Sequence, residues 1–220
     1  MLTKNNPSEI IRFYGRRKSH PLKEAQKDLM LSLPEFDFDA GLINPGHINA
    51  LEIGFGGGEH LAYMAQQNPH VHYFGAEVFQ NGIVSLLRSA TENAIQNVHI
   101  YPGDIRLILK DFPENSLDAV YLLFPDPWPK ARHAKRRFIQ KETISLLSHI
   151  LKPGGLWYIA SDHPIYQEWV EAQMHNQTFF AQRRPDLSER PDPTTWPITR
   201  YEKKAHKEGR TPHFWIFERL

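Results

Sequence analysis

Apolar residues in this chain come in short dense runs, separated by stretches where they recur every three or four positions. Five runs stand out: INALEIGF (48–55), VHYFGAEV (71–78), NVHIYPGD (97–104), LDAVYLLF (117–124) and GLWYIASD (155–162). Each is rich in β-branched or aromatic residues and bounded by Gly, Pro, Asn or Asp, which predicts strands. Between them, EHLAYMAQQN sets Leu61, Met64 and Ala65 on one face, and NGIVSLLRSATENA does the same with Ile83, Leu86, Leu87 and Ala90. RRFIQKETISLLSHIL repeats the pattern with Phe138, Ile139, Leu146, Leu147 and Ile150, so all three stretches are predicted helices. KPGG (152–155) reads as the turn that stops the third helix before a strand. Near-continuous apolar strands alternating with helices predict an α/β fold, a doubly wound and mostly parallel sheet of seven strands with helices on both faces. QTFFAQRR and HFWIFERL supply the last two strands as an antiparallel pair at one edge, with the proline-rich RRPDLSERPDPTTWP looped between them. Residues 1–45 show little periodicity and read as a basic, partly mobile arm on a single domain spanning 1–220.

Composition narrows the class. The chain has 220 residues, 40% of them hydrophobic, which suits a globular domain. It has no cysteine, so disulfides and thiolate chemistry are excluded. Its N-terminus carries no apolar signal core, and the longest apolar run, AVYLLF, is far too short to cross a bilayer. The expectation is a cytoplasmic protein without membrane contact. The net charge of +1 hides an uneven distribution. Basic residues crowd into RFYGRRK (12–18), KARHAKRR (130–137) and RYEKKAHKEGR (200–210), which suggests a polyanion partner, although each patch could also be solvated charge. The 12 histidines, His60, His70, His72 and His99 among them, show no spacing that closes a metal site, so no metal is expected. No obligatory protein partner is evident.

The candidate chemistry starts at EIGFGGG (52–58), which ends the first strand and opens a helix. Gly54, Gly56 and Gly58 permit tight turning and close approach of a ligand to the backbone; a glycine-rich turn without a ligand is the alternative. The spacing is G-x-G-x-G rather than the G-x-G-x-x-G of a dinucleotide site, Glu59 follows, and Glu52 precedes. Such a loop suits the cationic, phosphate-free S-adenosylmethionine better than NAD. Glu77 ends the second strand, where a carboxylate can accept from ribose hydroxyls, and Asp104 ends the third, where it can accept from an adenine amino group or cap a helix. EIGFGGG with Glu77 and Asp104 resembles the class I S-adenosylmethionine-dependent methyltransferases.

Asp126 follows the fourth strand and so reaches the same edge. Pro125, Pro127 and Pro129 stiffen its loop, and Trp128 offers a flat face to a base or fills the core. An amine or hydroxyl acceptor must lose a proton when methylated, whereas N7 of guanine has a free lone pair. It needs only alignment and a nearby negative charge, which one rigid carboxylate can supply. Lys130, Arg132, His133, Lys135, Arg136 and Arg137 follow with no intervening acid, which argues for phosphate contacts. Read as the exposed N-terminus of a helix, the run would oppose the macrodipole by about 0.3–1 kcal/mol per cation.

LEIGFGGGEHL, FPDPWPKARHAKRRF, SDHPIYQEW and TRYEKKAHKEGR, in that order, are together similar to the bacterial tRNA (guanine-N7-)-methyltransferase family over most of residues 12–220. The resemblance implies transfer of a methyl group from S-adenosylmethionine to N7 of a variable-loop guanine in tRNA. It implies that Glu52, Gly54, Gly56, Gly58, Glu77, Asp104 and Asp126 hold the donor and that Asp126 is catalytic. Lys130 and Asp162 would touch the substrate. Thr199, Arg200, Tyr201 and Glu202 would close over the guanine, with Glu202 accepting from its N1–H and amino group. Arg132, His133, Lys135, Arg136 and Arg137 would bind RNA backbone, and FYGRRK resembles the family's basic arm. Residues 46–162 would form the donor-binding core and 163–220 the substrate-binding part. Asp162 could equally be a turn residue before Pro164, and Thr199 and Tyr201 could simply pack. Two rivals remain: an exocyclic amino-methyltransferase acting on another base, and a degenerate RNA-binding module without catalysis.

Overall fold

All five apolar runs form strands. The computed structural model describes residues 21–38, 40–184, 186–192 and 196–220. Strands β1 (Ile48–Ile53), β2 (Val71–Ala76), β3 (Val98–Tyr101), β4 (Leu117–Leu123) and β5 (Leu151–Ser161) lie parallel. With β6 (Phe180–Gln182) and β7 (His213–Arg219) they make one seven-stranded sheet in the order β3-β2-β1-β4-β5-β7-β6. β7 runs antiparallel to β6, as the sequence predicts, and also to β5. From β1 the chain winds outward through β2 and β3, then returns to place β4 on the other side of β1. That reversal opens a crevice at the carboxyl ends of β1 and β4, where ligands bind in this architecture.

Helices bury both faces. Leu51, Phe74, Val120, Trp157 and Trp215 pack on one side with residues of α4 (Lys141–Ile150) and α5 (Pro164–His175). Ala50, Tyr73 and Tyr121 pack on the other with Leu61 of α2 (Glu59–Gln67) and Ile83, Leu86 and Leu87 of α3 (Gln80–Glu92). Consecutive β1 residues therefore alternate between two cores, which is why the strand reads as unbroken apolar sequence. Each large side chain so buried contributes about 1.5–3 kcal/mol.

Three local expectations need correction. The third helix does not start at Arg136: α4 begins at Lys141, where Gln140 N–H donates to Thr143 Oγ1 at 2.9 Å. The basic run forms its own 3₁₀ segment, Ala131–Arg136, so the macrodipole argument does not apply to it. KPGG is not a turn between elements but a bulge inside β5. Leu151 pairs with Leu117 and Leu156 with Ala119, and Gly154 takes a φ of +79° where the extra residues loop out. Finally, the segment before β1 holds a helix and two buried residues, Phe38 and Ile43, although most of its side chains are exposed. α1 (Glu24–Leu31) leads to Phe38, 7% exposed, whose ring meets Phe74 edge-on at 5.1 Å and Phe112 at 5.6 Å. Asp37 forms a parallel bridge with Ile100 beside β3. The RFYGRRK stretch lies outside the described residues. Three helices were not foreseen, α1, α5 and α6 (Arg200–Lys207).

Candidate active site

The glycine loop takes the form its sequence requires. Gly54, Gly56 and Gly58 all have left-handed backbone, with φ of +68°, +57° and +77°. A side chain at Gly56 would press on the Tyr201 ring at 3.0 Å, and one at Gly58 would strike Leu86 at 2.8 Å. The loop is tied to β2 through Glu77, one of whose oxygens accepts from Gly56 N–H at 2.7 Å. The other accepts from Val78 and Phe79 N–H at 2.7 and 2.9 Å. Burial nonetheless holds the Glu77 carboxyl above its ordinary range; these three N–H groups act against the rise, and Asp126 adds to it.

Asp126 sits between two unusual backbones. Phe124 has a φ of +50° and Trp128 a φ of +43°, both costly for bulky residues. Phe124 N–H donates to Ala160 O at 2.8 Å, which hooks the loop to β5. The half-buried Trp128 ring meets His133 edge-on at 5.8 Å and carries the Arg136 guanidinium at 4.8 Å. Among the described residues the Asp126 carboxylate accepts no hydrogen bond. The surrounding walls withdraw water and push its pKa up, although the side chain stays open to the cleft.

That cleft holds about 390 Å³, lined by Gly54, Gly56, Glu77, Arg106, Asp126, Trp128, Arg136, Phe138 and Tyr201 among others. Its size falls within the range of about 300–1,000 Å³ usual for small-molecule sites. A side recess of about 140 Å³ adds Asp104 and Gly103. The two spaces share Gly54, Glu77, Arg106 and Phe138 as walls, so Gly56, Asp126 and Tyr201 line one and Asp104 the adjoining other.

Other predicted residues lie elsewhere or are already engaged. Glu52, 3% exposed, meets His60 Nδ1 at 2.8 Å behind the glycine loop. Asp104 caps a 3₁₀ turn by accepting from Arg106 N–H, and its two oxygens accept from the Arg106 guanidinium at 2.5–3.1 Å. Asp162 accepts from Arg210 Nε at 2.6 Å. Thr199 caps α6, its Oγ1 accepting from Glu202 N–H at 3.2 Å. Arg200 pairs with Glu59 across the glycine loop. Glu202 does not face the cleft: it is fully buried, and its oxygens accept from Arg190 at 2.5 and 3.3 Å. A guanine edge cannot reach it in this arrangement.

The basic run also divides. Lys130, Arg132 and Lys135 are exposed, and His133 and Arg136 are intermediate. The His133 pKa is lowered, first by desolvation and then by Arg136, Arg132 and Lys130, so the imidazole adds little positive charge near neutrality. Arg137 is not available to RNA: it is 5% exposed and bonded to the Asp126 loop.

Sequence reasoning missed Arg106, Phe138, His60 and Arg190. Thr199-x-x-Glu202 is a capping signature and Pro164 a natural first helical residue, so α6 and α5 were in principle readable. Nothing local marks Arg190 as the partner of Glu202. Among the described residues, no three His, Asp or Glu side chains could hold a metal, and no helix is long and apolar enough to cross a membrane.

A family model described as "Putative methyltransferase" matches residues 47–214. The tRNA (guanine-N(7)-)-methyltransferase of Granulibacter bethesdensis is 42% identical over 230 residues, covering 100% of this chain and 98% of its own. The enzyme of the same name from Paramagnetospirillum magneticum is 41% identical over 228 residues, covering 98% and 95%. Among solved structures, an rRNA methylase from Streptococcus thermophilus superposes with a TM-score of 0.55 at 13% identity, covering 86% of this chain and 95% of that one, a likeness of fold.

Proposed function

This chain belongs to the tRNA (guanine-N(7)-)-methyltransferase family, and on that premise we propose that it methylates N7 of a variable-loop guanine in tRNA, with Asp126 as the catalytic residue. The donor is S-adenosylmethionine, which when bound supplies an electrophilic methyl group on a sulfonium cation. The cleft suits such a cation: Glu77 and Asp126 share it, and loss of water around them raises both carboxyls, so a positive ligand favours their ionised forms. Gly54 and Gly56 let the ligand approach the backbone, and Asp104 borders the recess where its base would lie. Glu52 and Gly58 act one layer behind, shaping the loop.

N7 of guanine has no proton to lose, so the site requires no general base. Asp126 orients the base through its donor edge and offsets the positive charge that develops on the ring. Tyr201, beside Gly56 at the mouth, packs on the incoming nucleotide. Lys130, Arg132, Lys135 and Arg136 hold RNA phosphates. Residues 46–162 carry the donor side and 163–220 the substrate side of a single domain, and the enzyme works in the cytoplasm, where tRNA is found. The observation that carries this reading is Asp126 itself: without a partner among the described residues, raised in pKa, and lining the same cleft as the glycine loop. Incubating unmodified tRNA with methyl-labelled donor and mapping the digested nucleosides is expected to give 7-methylguanosine. Label on an adenine, on an exocyclic amine or on nothing would sink it.

A further inference from the structure

We propose that Arg137 is the positioning residue of the Asp126 loop, holding the main chain on which the carboxylate is mounted, and that it makes no contact with RNA. This rests on the role given above to Asp126. In sequence Arg137 is merely the last cation of a basic run. In the fold it is the one drawn inside, 5% exposed. A buried guanidinium is costly unless its donors are met. Among the described residues no carboxylate pairs with it. It donates instead to two consecutive carbonyls, from Nε to Pro127 O and from Nη2 to Trp128 O, each at 3.0 Å. Its flat face lies 4.6 Å from the centre of the Trp169 ring. That ring is itself fixed, with Nε1–H donating to Ile139 O at 2.8 Å.

The gripped residues follow Asp126 directly, and one of them is Trp128, whose left-handed backbone persists only where its surroundings over-determine it. The three prolines fix their own φ angles but not that of Trp128. A planar fork spanning neighbouring carbonyls does fix it, and only arginine offers that fork. Arg136 reaches the ring of Trp128 while Arg137 reaches its main chain, so two adjacent arginines hold one residue by different parts. Without the fork the loop relaxes, and a displacement of about 1 Å at a reacting centre lowers turnover by about 100-fold.

Arg137→Met keeps length and removes both donors; Arg137→Lys keeps the charge but reaches one carbonyl. For Arg137→Met, kcat on tRNA is expected to fall by about 100-fold while KM stays within about twofold. The salt dependence of tRNA binding should stay unchanged. In 15N relaxation, the order parameters of the Asp126 and Trp128 amides should fall while those of β4 and β5 stay unchanged. Arg137→Lys should fall between, and it replaces the methionine variant if that protein does not fold. A salt slope reduced by about 0.9 with kcat intact would make Arg137 a phosphate contact and overturn the proposal. Unchanged order parameters at Asp126 and Trp128 would overturn it as well. The relaxation measurement needs no substrate, so it tests the clamp even if the wild-type chain transfers no methyl group to tRNA, the result that instead defeats the functional reading.

Discussion

The acids that the sequence singles out fall into two populations. Those at the ends of β1, β3 and β5 are met from within the protein: Glu52 by His60, Asp104 by Arg106 and Asp162 by Arg210. Glu202 on α6 is likewise met by Arg190. At the ends of β2 and β4, Glu77 and Asp126 have no such side-chain partner among the described residues, and burial raises both. The two populations are interleaved along one sheet edge and are chemically identical in sequence. The contrast teaches that a partnered acid builds the scaffold, while an acid left without a counter-charge keeps its field for a ligand.

Removing a partner should break the first population. Arg190→Met leaves the buried Glu202 with only His206, 3.8 Å away, as a possible counter-charge, and unfolding by denaturant should show a loss of up to about 3–5 kcal/mol. Asp126→Asn tests the second in the opposite sense. Methyl transfer should fall by about 100-fold or more, with tRNA affinity little changed and thermal stability equal to or above that of the parent. If stability falls as it does in Arg190→Met, the two populations are one.

The smallest effect lies in the pH dependence. In the native state Asp126 and Glu77 hold protons more tightly than they do unfolded. Their contribution to stability is therefore full below the unfolded carboxylate pKa and is lost as pH rises through the raised native values. Thermal melts of the ligand-free protein should decline across that window. Donor binding favours the ionised forms and releases protons, so its affinity should rise with pH there, by at most about tenfold per unit for each proton released, as titration calorimetry in two buffers would show. A flat profile would mean that the cleft does not desolvate these acids.

How much of this was readable in advance follows the same division. The strands were, because β1, β2 and most of β4 bury both faces and so leave dense apolar runs, while β3 alternates buried and half-buried residues. The glycine loop and Asp126 were, because sequence alone sets a loop after a strand. Partnership was not. Glu202 meets Arg190 across twelve positions through a proline-rich loop, and no local pattern marks the pair. Arg137 and Arg132 look alike in the basic run, and only Trp169 and the two carbonyls of the Asp126 loop decide which is buried. The segment before β1 was misjudged for a related reason. Phe38 and Ile43 are single apolar residues without periodicity, yet both insert into the core.

The margins of the sheet carry a last consequence. β3 has four residues and is flanked by the Asp37 bridge, and β6 at the far side has three. Neither rim offers a stranger's backbone a row of free amides long enough to zip onto. If tRNA gathers on the basic run as proposed, the protein can therefore be crowded on its substrate without seeding fibrils from its own edges.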